Sequence, residues 1–133
     1  MPLQIAHIGI AVKDLDAAVK TYTESLGVEL EETVESPETG MKAAMLKIGG
    51  SALELLAPIG DQGVIAKFLE SRGEGIHHVS IEVDDIEKTL ESMAAGGIQL
   101  IDKTPRQGIE GKVAFIHPRS MNGVLVELVE KPK

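Results

Sequence analysis

Two histidines and two glutamates occupy matching places in the two halves of this 133-residue chain. The separation of His7 from Glu54 nearly equals that of His78 from Glu127. Each glutamate interrupts an aliphatic segment, where a buried charge is costly unless a partner compensates it. Imidazole nitrogens and carboxylate oxygens together suit a divalent ion such as cobalt, nickel, zinc, manganese or iron. The four residues therefore predict a metal site with two nitrogen and two oxygen ligands.

These matching places belong to an internal repeat. Residues 5–16 align with residues 76–87 without a gap, and each stretch carries the histidine, alternating aliphatic positions and an aspartate in the same order. The segment around Glu54, residues 52–55, corresponds to residues 125–128 after short insertions. Self-similarity of this kind indicates two copies of one supersecondary unit.

Each copy is predicted to contain one strand, one helix and then three strands. Alternating Ile and Val predict a first strand over residues 5–12. Asp14 and Asp85 are predicted to cap the two helices, and Gly27 is predicted to end the first one. The other strands are predicted near residues 28–34, 42–48 and 52–57 in the first copy, and near 77–83, 98–103, 112–117 and 124–129 in the second.

We expect one α+β domain in which two tandem βαβββ modules form a curled mixed sheet, a half-barrel around the metal site. Module 1 covers about residues 4–58, a linker helix about 62–73, and module 2 about 75–130. Because alternate side chains of a strand point to opposite faces, His7 and His78 should face away from the helices. His77 has the opposite parity, which favours a packing or hydrogen-bonding role.

The composition excludes several classes of protein. The formal net charge is −8, and Tyr22, Phe68 and Phe115 are the only aromatic residues, which argues against nucleic-acid binding. There is no cysteine, so disulfides, thiolate-bound metals and thiol nucleophiles are excluded. We find no membrane-spanning apolar run and no secretory signal in the first residues, and we expect a cytoplasmic globular protein.

The chain resembles the methylmalonyl-CoA epimerase family of the vicinal oxygen chelate superfamily over nearly its whole length. The most specific blocks are the pair His77-His78 and the stretch from His117-Pro118 to Gly123-Val124-Leu125-Val126-Glu127-Leu128. Further matching stretches are residues 7–12, 54–58, 65–69, 72–79 and 82–86.

This resemblance implies interconversion of the 2R and 2S epimers of methylmalonyl-CoA by removal and return of the C2 proton. It implies His7, Glu54, His78 and Glu127 as ligands of one divalent ion, for which we expect Co²⁺, with Ni²⁺, Zn²⁺ or Mn²⁺ as alternatives. The ion would stabilise an enolate as a Lewis acid. Glu127 is expected to be one proton-transfer base. An acyl-CoA substrate and a homodimer are also implied.

Ala43 departs from some members of this family, which carry glutamate there and glutamine at the position of Glu54. We therefore expect Glu54 to be the second base, with a metal-bound water or another side chain as alternatives. Basic residues that are candidates for contacting the phosphates of coenzyme A are Lys42, Lys103, Arg106, Lys112 and Arg119.

Two other functions remain open from the sequence. A glyoxalase I-type lactoylglutathione lyase would share the fold, the ligand set and related chemistry, although the His117-Pro118 block favours the epimerase. A metal-free small-molecule binding module would share the fold but would not need the four ligands. Elemental analysis of the purified protein distinguishes this module from either enzyme.

Overall fold

The computed structural model describes residues 2–133. In both halves of that range a strand and a helix precede three further strands, as the repeat predicted. The elements are β1 (Pro2–Ala11), α1 (Leu15–Leu26), β2 (Glu29–Ser36), β3 (Met41–Ile48), β4 (Ser51–Pro58), α2 (Val64–Arg72), β5 (Gly75–Val83), α3 (Ile86–Ala95), β6 (Arg106–Gln107), β7 (Lys112–Ile116) and β8 (Val126–Glu130). A short 3-10 helix, Pro118–Ser120, precedes β8.

The chain divides into two compact units. The first unit, residues 7–77, has the strand order β2-β3-β4-β1, in which β1 and β4 are parallel and the outer pairs antiparallel. The second unit, residues 2–6 and 78–133, has the order β1-β5-β8-β7-β6, in which β5 and β8 are parallel. Each unit thus repeats one mixed arrangement. The bounds expected for a single domain stay a prediction.

Both repeat helices begin where the sequence predicted, and the first also ends where it predicted. The Asp14 carboxylate accepts a hydrogen bond from the backbone N–H of Ala17 at 3.1 Å, and the Asp85 carboxylate accepts one from Lys88 at 3.1 Å. Each aspartate therefore satisfies a backbone donor that the first helical turn leaves unpaired. Gly27 ends α1 with φ at 74°, a conformation that glycine adopts without strain.

Each of these helices covers one face of the sheet in its own unit. In the first unit, Leu15 of α1 packs with side chains from alternate strand positions, including Val12, Leu46 and Leu55. In the second unit, α3 packs in the same way through Ile86 and Leu90; its partners are Val83, Ala114, Ile116 and Leu128. These positions have the parity opposite to His7 and His78, so both histidines lie on the face away from their helix, as predicted.

The prediction of a strand over residues 98–103 was wrong. The structure has only an isolated bridge there, and regular pairing begins later, at β6. The reason is a side chain that replaces a strand partner: the Asp102 carboxylate accepts a hydrogen bond from the Phe115 N–H at 2.8 Å. The N–H groups of Ile101 and Asp102 both donate to the Phe115 carbonyl, which ends the ladder.

Across residues 2–133, none of the helices combines the length and the hydropathy that crossing a lipid bilayer requires.

Candidate metal and active site

The first candidate pair lies on neighbouring parallel strands of the first unit. Gly9 of β1 is opposite Glu54 of β4, and His7 precedes Gly9 by two residues, so His7 and Glu54 share a face. Gly9 has no side chain to separate them. The His7 Nε2 atom lies 3.3 Å from Glu54 Oε1, and the two residues are only 3% and 5% exposed.

The second unit repeats this geometry. Ser80 of β5 is opposite Glu127 of β8, and His78 precedes Ser80 by two residues. The His78 Nε2 atom lies 3.8 Å from Glu127 Oε1, and both residues are buried. The diagonal relation of histidine to glutamate is therefore the same in both modules. Ser80 is fully buried, and its hydroxyl has no hydrogen-bond partner among the described residues.

The donor atoms of both pairs fit a divalent cation. Two buried carboxylates need compensating positive charge, which a metal ion or a protonated imidazole supplies. At 3.8 Å, the His78 and Glu127 atoms are too far apart for a hydrogen bond with each other. Paired nitrogen and oxygen ligands are typical of the first-row divalent ions. Each pair can thus contribute one imidazole and one carboxylate to such an ion.

Phe115 lies beside the second pair. It is opposite Glu127 in the β7–β8 pairing, and its ring meets the His78 ring edge-on, with centroids 5.8 Å apart. The guanidinium carbon of Arg106 lies 5.5 Å from the centroid of the Phe115 ring. This aromatic neighbour was not predicted from the sequence. Its position beside Glu127 depends on the register of β7 against β8, which no local pattern in the sequence specifies.

The other histidines have separate roles. The His77 ring packs edge-on against Phe68 with centroids 5.0 Å apart, which confirms the predicted packing role. The Nδ1 atom of His117 accepts a hydrogen bond from the Arg119 N–H at 3.0 Å and so caps the short 3-10 helix. His117 is therefore a loop residue that caps this helix.

Ala43 is buried in an apolar cluster. It packs with Ala11, Leu56 and Ile65, the last of these from α2. A methyl side chain in this cluster neither accepts nor donates a proton. The departure seen in the sequence therefore removes an acid–base group from this position and leaves Glu54 as the carboxylate of the first unit's candidate site.

Comparisons with known proteins identify the family. Residues 6–115 match the sequence profile described as the Glyoxalase/Bleomycin resistance protein/Dioxygenase superfamily. Mitochondrial methylmalonyl-CoA epimerase from Dictyostelium discoideum is 39% identical over 130 residues, which cover 96% of this chain and 78% of the relative. A probable lactoylglutathione lyase from Vibrio parahaemolyticus is less similar, at 31% identity over 96% of this chain and 90% of the relative.

Solved structures agree with this result. The crystal structure of methylmalonyl-CoA epimerase from Mycobacterium tuberculosis has a TM-score of 0.92 and 35% identity, covering 98% of this chain and 89% of that one. A Streptomyces coelicolor methylmalonyl-CoA epimerase variant in complex with 2-nitronate-propionyl-CoA has a TM-score of 0.93 and 36% identity, covering 98% and 96%. The predicted fold class is thereby confirmed, and the chain belongs to the Glyoxalase/Bleomycin resistance protein/Dioxygenase superfamily, with methylmalonyl-CoA epimerases among its relatives.

Proposed function

We propose that this chain interconverts the 2R and 2S epimers of methylmalonyl-CoA. The predicted enzyme class, an isomerase of the epimerase type, is confirmed by the curated relatives. The observation that carries the substrate assignment is the 39% identity to a methylmalonyl-CoA epimerase over 96% of the chain. The repeated, buried His–Glu pair supplies the side chains that such chemistry needs. The ligand of the Streptomyces coelicolor structure is itself an acyl-CoA analogue, which supports a CoA thioester as substrate.

The two His–Glu pairs would together hold one divalent ion. His7 and Glu54 provide one half of its ligands, and His78 and Glu127 the other. We expect Co²⁺ at this site, with Ni²⁺, Zn²⁺ or Mn²⁺ as alternatives, because imidazole and carboxylate ligands serve all four. When bound, such an ion supplies Lewis-acid polarisation of an oxygen atom of the substrate.

The chain itself supplies the proton transfers. The C2 carbon of the substrate is bonded to both the thioester and the free carboxylate group. A carboxylate side chain of the protein placed within hydrogen-bond reach can remove its proton. We assign this role to Glu127 on one face of C2 and to Glu54 on the other, since epimerisation needs removal on one face and return on the opposite one. The low exposure of both glutamates excludes bulk water from the proton being moved.

A lactoylglutathione lyase is the second candidate, and its support is weaker. The lyase relative is 31% identical, against 39% for the Dictyostelium discoideum epimerase over the same share of the chain. The ligand set alone does not distinguish the two activities, so a substrate test is needed.

Hydrogen–deuterium exchange at C2 of methylmalonyl-CoA tests the proposal. The protein is treated with a chelator, and exchange in heavy water is followed with and without added Co²⁺. We expect metal-dependent exchange accompanied by conversion of one epimer into the other. A folded, Co²⁺-containing protein that gives no exchange contradicts the epimerase proposal. The hemithioacetal of methylglyoxal and glutathione is then the next substrate to assay.

A further inference from the structure

Arg106 lies on the same sheet face of the second unit as Glu127. The β6–β7 pairing sets Arg106 opposite Val113, and Phe115 is two residues further along the same strand. Phe115 in turn is opposite Glu127 in the β7–β8 pairing. Since directly opposed residues and residues two apart share a face, this side of the sheet carries the guanidinium as well as the carboxylate.

The guanidinium is held in place but remains accessible. Its carbon lies 5.5 Å from the Phe115 ring centroid, and its Nε atom lies 3.5 Å from an Asp102 carboxylate oxygen. The side chain is 56% exposed. Because the contact with Asp102 runs through Nε, the N–H groups on the two terminal nitrogens can serve a ligand. The Phe115 ring also contacts the His78 ring edge-on.

We propose that Arg106 binds the free carboxylate of the substrate's acyl group and thereby selects acyl-CoA thioesters that carry one. This inference rests on the proposed function. Arginine is suited to the role because its planar fork pairs with both oxygens of a carboxylate. In a chain with net charge −8, an anionic group needs such a local cation to approach the site.

The distance favours the acyl carboxylate over the phosphates of coenzyme A. Neighbouring strands are about 4.8 Å apart, so β6 lies about 10 Å from β8, which carries Glu127. A long arginine side chain spans most of that distance. The carboxylate of methylmalonyl-CoA is bonded to the reacting carbon itself, whereas the whole pantetheine arm separates the phosphates from the thioester.

Lys112 provides a matched control cation. It lies on the neighbouring strand β7 but has the opposite parity from Phe115, and its ammonium is bound to Glu87 of α3 at 3.0 Å. It therefore faces α3 and not the face that carries Arg106. Replacing Lys112 by glutamine removes the same charge from nearly the same part of the sheet.

The test compares the affinities of malonyl-CoA and acetyl-CoA, which carry the same phosphates and differ in the free carboxylate. Dissociation constants are measured by titration calorimetry on the metal-containing wild type, Arg106→Gln, Arg106→Lys and Lys112→Gln. We expect Arg106→Gln to weaken malonyl-CoA binding about 10- to 100-fold, the loss typical of one charge-assisted hydrogen bond. Acetyl-CoA binding should not change, and Arg106→Lys should lose less malonyl-CoA affinity than Arg106→Gln. Lys112→Gln should leave the ratio of the two affinities at the wild-type value, because any contact with the phosphates is common to both ligands.

Two outcomes overturn the inference. If Arg106→Gln weakens both ligands equally, Arg106 binds the phosphates. If it weakens neither, Arg106 binds no part of the ligand. The proposed function is tested separately by C2 exchange in the wild type. If the wild type exchanges the C2 proton but Arg106→Gln binds malonyl-CoA as tightly as the wild type, only the carboxylate site is rejected. If Arg106→Gln weakens malonyl-CoA binding specifically but the wild type gives no C2 exchange, only the epimerase proposal is rejected.

Discussion

A carboxylate buried in an aliphatic strand has few stable arrangements, and each glutamate of the candidate site has the same one. Glu54 and Glu127 are each placed diagonally from a histidine on a parallel neighbouring strand. The pairing leaves each carboxylate beside an imidazole, within 3.3 Å in one unit and 3.8 Å in the other. Changing the carboxylate to an amide preserves the shape and one oxygen ligand but removes the proton acceptor.

Glu54→Gln is therefore expected to keep its metal and lose most of its turnover. Loss of a general base lowers a rate typically about 10²–10⁴-fold. Metal content is measured by elemental analysis and turnover by C2 exchange of methylmalonyl-CoA. Glu29→Gln, an exposed glutamate of β2, is the control for loss of one negative charge. Turnover close to that of the wild type would remove Glu54 from the acid–base role.

Adjacent histidines with opposite parity allow a matched comparison of metal binding. His78→Gln should sharply reduce the bound Co²⁺, because it removes an imidazole ligand of the proposed site. His77→Gln should retain a stoichiometric amount, since the His77 ring packs against Phe68 on the other face of β5. Elemental analysis after dialysis against a fixed Co²⁺ concentration measures both variants. Equal metal contents in the two variants would contradict the proposed ligand set.

The four proposed ligands were identifiable from the sequence, because the repeat places them at equivalent positions and strand parity gives their common face. Arg106 and Phe115 were not identifiable in this way. Their proximity to the site depends on which residues of β6, β7 and β8 are opposite each other, and no local pattern in the sequence specifies that register.

At the scale of elements, local signals were reliable and a long-range hydrogen bond was not foreseeable. Asp14 and Asp85 mark helix starts because capping involves residues three positions apart. The segment 98–103 has the alternating apolar pattern of a strand. It is irregular because Asp102 bonds to the backbone of Phe115, thirteen residues further along the chain.

A salt bridge joins β7 to α3 and should make stability depend on pH. The hydrogen bond from Lys112 lowers the pKa of the Glu87 carboxyl, and Glu87 in turn raises the pKa of the Lys112 ammonium. The lowered pKa contributes stability above the ordinary glutamate pKa, and this is lost as the pH falls through the folded-state value. The raised lysine pKa contributes stability below the ordinary lysine value, and this is lost in strong alkali.

Lys112→Gln should consequently be slightly less stable than the wild type near neutral pH, and this difference should disappear in acid, below the folded-state pKa of Glu87. The gap should stay small, since both groups are exposed. Urea-unfolding midpoints at the two pH values measure the difference. Glu87→Gln should reproduce it, and the double variant should add nothing further. A gap that persists unchanged in acid would show that the ion pair is not its source.

For the whole molecule, family membership and fold follow from likeness along nearly the full chain, while assembly and location stay predictions. The expected homodimer is to be measured by light scattering against the 14.2 kDa mass of one chain. The expected cytoplasmic location is likewise untested.

Metal binding has a consequence for the stability of the entire protein, because an ion that binds only the folded state shifts the unfolding equilibrium.

Removing the metal should lower the thermal unfolding midpoint, and returning Co²⁺ should restore it. At a free ion concentration of about 100 times the dissociation constant, the gain in unfolding free energy is about 2.7 kcal/mol. Differential scanning calorimetry of chelator-treated protein, before and after Co²⁺ addition, measures this gain. His78→Gln should respond much less. An equal midpoint with and without Co²⁺ in the wild type would argue against a specific site.

The residue opposite each carboxylate differs between the two copies of the repeat. Gly9 has no side chain opposite Glu54, whereas Ser80 places a buried hydroxyl opposite Glu127. An enzyme whose two proton carriers have unequal neighbours is expected to act on the two C2 epimers at unequal rates. Under the proposed mechanism, label from heavy water should enter the 2R and 2S epimers at different initial rates. The difference between these two initial rates should be smaller in Ser80→Gly, the variant that makes the two copies of the repeat alike at this position.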